Sequence, residues 1–124
     1  MIGSAFAPFA AWALLHGAIL TPPPAAAAAL YFEKAVVKTS SERTCMRFAR
    51  DVARNQHFTN GHASGAEVAG EVGGAYVAIT CVGRGAQPAL AVVMSVAPDF
   101  AVARRVGQQV ANAVKAITCI DQPC

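Results

Sequence analysis

The chain has 124 residues, 55% of them apolar, and its ten Lys and Arg against seven Asp and Glu give a net charge of +3. A chain of this length is expected to fold as one domain, and so small an excess of positive charge excludes a nucleic-acid binder that works by massed phosphate neutralisation. The charge is unevenly placed, because no Asp, Glu, Lys or Arg precedes Glu33.

Residues 1–29 are expected to be an export leader. Residues 5–20 form an apolar run, Thr21 and three prolines follow, and the alanines at 25–29 offer small-residue cleavage options, with Ala27 or Ala29 expected to be used. Only the amino group of Met1 is positive ahead of the run, which departs from the usual basic start of a leader. A permanent membrane helix needs about 20 apolar residues, and Pro8 and Pro22 bracket a shorter stretch. Retention of this segment would instead give a membrane-tethered module, and contact with a membrane is expected only in that case. Residues 30–124 are then one small domain, too short to divide.

Residues 31–39 are rich in Val, Thr and aromatic side chains and are expected to form a first strand ending at the Thr39, Ser40 and Ser41 cap cluster. Residues 41–58 contain no Pro or Gly. On a helical wheel Cys45, Met46, Phe48, Ala49, Val52 and Ala53 share one side, and Arg43, Arg47, Arg50 and Arg54 share the other. Asn60 and Gly61 then read as the stop signal. Val68, Gly70 and Val72 alternate with Glu67, Ala69 and Glu71 as a strand with one wet face, and Gly73 with Gly74 offers a tight hairpin turn into a strand over 75–82.

On that strand Ala75, Val77, Ile79 and Cys81 are expected on one face and Tyr76, Ala78, Thr80 and Val82 on the other. A loop over 83–88 leads to a further strand over 89–97, with Leu90, Val92, Met94 and Val96 as its larger apolar face and Ala91, Val93 and Ser95 as its smaller one. Pro98 and Asp99 open a last helix reaching Thr118, whose stripe is Ala103, Val106, Val110, Val114 and Ile117. The expected architecture is α+β: a β-α-β-β-β-α order, with an antiparallel sheet carrying both helices on one face.

Four cysteines in a small exported chain are read first as two disulfides. Cys45 sits at the centre of the first helix's apolar stripe, and Cys81 shares a strand face with Val77 and Ile79, so both thiols aim into one interface. Cys119 falls on the polar side of the last helix, if helical phase persists, and is placed to meet Cys124 locally. The expected pairs are Cys45 with Cys81 and Cys119 with Cys124, the first closing a loop worth roughly 4 kcal/mol in the chain-entropy account. The alternative for Cys45 and Cys81 is two buried thiols acting as small hydrophobes. Nucleophilic catalysis finds no base or orienter, and no C-x-x-C spacing.

His57, His62 and Glu67 are the candidate metal ligands, since two imidazoles and a carboxylate could hold zinc and leave a position open for hydrolytic chemistry. Their spacing across Asn60 and Gly61 is not one that a helix face enforces, and exposed loop residues are the plainer reading. Gly70, Gly73 and Gly74, like Gly83 and Gly85, read as turns, because neither set stands between a strand and a helix as a phosphate loop does. Arg43, Arg47, Arg50 and Arg54 could meet an anionic partner, although a solvated face is the commoner meaning of such a stripe. No aromatic residues interleave them, so nucleic acid is not expected. No cofactor is expected. A second sheet face of Tyr76, Ala78, Thr80, Val82, Ala91, Val93 and Ser95 is left for either the segment 56–66 or a second molecule to cover, the latter by self-association or by docking of another protein.

The sequences T-C-M-R-F-A, A-Y-V-A-I-T-C-V and V-V-M-S-V-A-P-D resemble those of short uncharacterised exported proteins of Gram-negative bacteria that carry one helix Cys and one strand Cys, over residues 30–118. The resemblance implies no activity, cofactor or catalytic residue, and its pattern leaves out Cys119 and Cys124. A non-catalytic exported binding or accessory domain, periplasmic or secreted, is the resulting expectation.

Overall fold

The computed structural model describes residues 27–120. Most of the expected leader and Cys124 lie outside the described residues. The elements are β1 (Ala29–Val36), α1 (Glu42–Asn55), β2 (Thr59–Ala63), β3 (Val68–Val72), β4 (Ala75–Arg84), β5 (Gln87–Ala97) and α2 (Phe100–Ala116). They form an α+β fold with one five-stranded antiparallel sheet in the order β1-β5-β4-β3-β2.

The order is β-α-β-β-β-β-α, one strand more than expected. The added strand is β2, whose sequence TNGHA has no apolar alternation and whose five residues are all exposed. Backbone geometry makes it. Asn60 adopts a left-handed φ of 48°, and the pairing with β3 shifts register between Thr59 and His62. Gly61 presses so close to β3 that a Cβ there would fall on the Ala69 carbonyl oxygen, which only glycine permits. Asn60 and Gly61 therefore belong to a bulged edge strand rather than to the end of a helix.

The helix ends sooner, at a left-handed His57 with φ 58°. The N–H of Phe58 donates to the Ala53 carbonyl at 2.9 Å, and that of His57 donates to Arg54 at 3.2 Å. This is a Schellman closure with histidine where glycine is usual. At the other end of α1, the Ser41 hydroxyl accepts from the Thr44 N–H at 3.1 Å, and Glu42 accepts from the Gly83 N–H at 3.0 Å, tying the helix to β4. Asp99 caps α2 by accepting from Ala101 and Val102.

Both helices lie on one face of the sheet, α1 over β4 and β3 and α2 over β1 and β5. Ala35, Val37, Val77, Ile79, Ala89, Ala91, Val93 and Ala97 line that face and are buried against Cys45, Met46, Phe48, Ala49, Val52, Val106, Val110 and Val114. Cys45 and Cys81 are joined across it as a disulfide, with 6.1 Å between their Cα atoms.

The faces of β5 are the reverse of the expectation. Ala91, Val93 and Ser95 are each 0% exposed beneath the helices. Leu90, Val92, Met94 and Val96 point away, in register with Val82, Thr80, Ala78 and Tyr76 of β4 and with Val36, Lys34, Phe32 and Leu30 of β1. Val93 thus leaves the second face, and the larger apolar set joins it. The segment 56–66 does not cover this face either, because its strand extends the sheet edgewise beside β3.

The physical reason is close approach. A Cβ on Gly107 in α2 would stand 2.5 Å from Tyr31 Cδ1 and 3.2 Å from Ser95 Cβ, so α2 sits too low over Ser95 to admit a larger side chain there. The smaller set of β5 therefore goes under the helix and the larger set is turned out.

Candidate functional site

Two surfaces emerge from this packing. The first is the helix-free sheet face. On it Leu30 is 60% exposed, Phe32 55%, Val36 52%, Val82 46%, Tyr76 40%, Met94 38% and Val96 37%. At about 4.8 Å between strands and about 3.4 Å per residue, the part spanned by β1, β5, β4 and β3 is roughly 20 Å wide and 25 Å long. Its charged members sit at opposite edges, Lys34 on β1 and Glu71 on β3. Glu71 also accepts from the Asn60 side-chain amide at 3.0 Å.

The second surface is a cleft of about 590 Å³ between α1 and β2, lined by Arg47, Arg50, Asp51, Ala53, Arg54, Phe58, Gly61, His62, Ala63, Val68 and Ala69. A smaller hollow at its end is lined by Arg43 with Glu42, Met46, Arg50 and Gly65. The arginine stripe is exposed as expected, but it also forms a wall of this groove. Arg54 is paired with Asp51.

The candidate metal ligands are not brought together as a set. His57 is exposed and occupied in closing α1, while His62 Nε2 lies 3.7 Å from Glu67 Oε2. Among the described residues, no three of His, Cys, Asp and Glu stand close enough to hold a metal ion. Cys119 is disulfide-bonded and lies beyond the end of α2, half-buried against the core, so helical phase does not set its aim.

A cluster missed in the sequence joins β1 to α2. The Tyr31 hydroxyl donates to Glu33 Oε2 at 2.9 Å, and Lys115 Nζ stands 3.3 Å from Glu33 Oε1. Burial first, and then the neighbouring Glu33 carboxylate, hold the Tyr31 hydroxyl above the usual phenolic range. Alternation along β1 placed Tyr31 and Glu33 on one face, which was the only signal for this cluster. Every member has a partner, and the arrangement pins the edge strand to the helix.

No family model, curated protein or solved structure matches the chain. Among the described residues no helix is long and apolar enough to cross a membrane. The disulfide fits an oxidising compartment.

Proposed function

We propose that the chain is an exported, disulfide-stapled, non-catalytic binding module, periplasmic or secreted, whose helix-free sheet face docks on the same face of a second copy. The observation that carries this reading is the set of seven large apolar side chains, 37% to 60% exposed, on one continuous face. At about 500 Å² the face matches the largest apolar patch of a typical monomer, about 300–600 Å² and often functional, and it falls below the about 800 Å² per partner of a standard interface, which fits a weak association. Two such faces packed about 10 Å apart make a β-sandwich, the ordinary way for a sheet to bury its second side.

A second copy is the occupant that meets this face with an equal apolar area and the same shape, the isologous arrangement of most homodimers. Export is supported by the charge-free residues 1–29 together with the disulfide.

Sedimentation of the exported protein from about 1 to 100 μM tests the docking, since micromolar association is the range expected for an interface of this size. The expected result is a concentration-dependent dimer that Phe32→Glu abolishes while native circular dichroism is retained. A monomer throughout this range, or a dimer indifferent to Phe32→Glu, contradicts it. Intact mass before and after reduction with alkylation tests export. A mass beginning near Leu30, with thiols appearing only on reduction, supports it, whereas a full-length mass points to a tethered module.

A further inference from the structure

The groove beside α1 exists because the sheet is wider than its helical cover. Two helices about 10 Å across span roughly four strands at about 4.8 Å each, and β2 is the fifth. With α1 seated over β4 and β3, the edge strand projects beyond it and leaves the space between them open. The floor of that space is apolar, built from Phe58, Ala63 and Val68 with Ala53.

Its wall is cationic. Arg47, Arg50 and Arg54 all line the one cleft, and only Arg54 is paired, with Asp51. Arg47 and Arg50 make no ion pair among the described residues, so two guanidiniums stand uncompensated over an apolar floor. A merely solvated arginine face requires no such floor, a neutral apolar ligand requires no such wall, and a bare inorganic anion uses only half of what is present. The volume, about 590 Å³, lies within the usual range for small-molecule sites, about 300–1,000 Å³.

We propose that this cleft binds an amphipathic anion, with a single apolar chain laid along Phe58, Ala63 and Val68 and its carboxylate or phosphate held by the guanidiniums of Arg47 and Arg50. Planar guanidinium forks match either headgroup in bidentate geometry. Charge and area are supplied by different elements, α1 and the β2–β3 hairpin, so the two contributions can be removed separately. The cleft lies beside α1, apart from the helix-free face, and does not depend on the dimer.

The test is a calorimetric titration of the purified protein with monomeric dodecanoate, dodecyl phosphate, dodecyl maltoside and inorganic phosphate, each below its micelle concentration. Saturable one-to-one binding of dodecanoate or dodecyl phosphate, at least tenfold tighter than of maltoside or phosphate, is expected; which anion binds tighter assigns the headgroup. The double variant Arg47→Glu and Arg50→Glu, at exposed positions, should weaken binding at least tenfold with an unchanged melting temperature. Ala63→Trp should weaken it by filling the floor with no change of charge. No saturable binding, equal binding of maltoside, or an unaffected double variant overturns the proposal, as does adsorption to anionic phospholipid vesicles without binding of the monomeric anions. Sedimentation run alongside keeps the two readings separate, because dimerisation should survive both variants.

Discussion

The two faces of β5 differ in residue size. Beneath the helices it places Ala89, Ala91, Val93, Ser95 and Ala97, all buried, whereas its outer side carries Leu90, Val92, Met94 and Val96. A domain that had only its helices to pack against would place its bulk under them. Here the bulk is turned away because α2 lies close enough to need Gly107 over Tyr31 and Ser95. The helix face is finished within one chain, and the outer face is the one that the proposed dimer would cover.

The sharpest way to break this comparison is one substitution on each face of β5. Val93→Asp puts an unpaired carboxylate at a fully buried position and should cost more than about 4 kcal/mol, leaving no folded protein. Val96→Asp, three residues on and 37% exposed, should keep native circular dichroism and lose only association. Equal damage from both would erase the distinction between the faces.

The disulfide comes next, because it staples the helix side alone. Replacing Cys45 and Cys81 together by Ala opens a link between residues 36 apart in sequence and should lower stability by about 4 kcal/mol in the loop-entropy account, read from denaturant midpoints. Gly107→Ala tests the close approach itself. A Cβ at 2.5 Å from Tyr31 Cδ1 should cost about 1–2 kcal/mol net, because overpacking outweighs the roughly 1 kcal/mol that Ala gains over Gly in a helix. Ser95→Ala should act the other way. The Ser95 hydroxyl is buried with no hydrogen-bond partner among the described residues, so its removal should stabilise by about 1 kcal/mol.

The smallest effect concerns pH at the β1 edge. The folded-state pKa of Tyr31 is raised, so its contribution is whole below the unfolded value of about 10 and is lost as pH rises through the folded one. Above about pH 10 the protein should lose stability more steeply than Tyr31→Phe, and parallel curves would contradict this.

Much of the helix-covered side was legible in the sequence. The stripe around Cys45 and the alternation that put Cys81 with Val77 and Ile79 were enough to pair the two cysteines, because both patterns report a single apolar interface. β2 was not legible, since Thr59, His62 and Ala63 pair with β3 around a bulge at Asn60 and Gly61, where a positive φ at Asn60 leaves no hydrophobic period. The phase of β5 was read backwards for a different reason. Both of its faces are apolar, so alternation cannot say which is inward, and bulk is a poor guide where a helix lies close. The arginines were legible as a stripe, but the groove they border depends on where β2 lies and could not be read with them.

Methionine oxidation tests the account most directly, because the two described methionines lie on opposite sides of the question. Met46 is 3% exposed on the sheet-facing side of α1, and Met94 is 38% exposed on the helix-free face. Dilute peroxide treatment at low and high protein concentration, read by peptide mass, should show Met94 oxidised quickly when dilute and protected several-fold when concentrated, in step with dimerisation, with Met46 slow at both. An oxidation rate at Met94 that does not change with concentration would contradict the claim that this face is covered by a second copy.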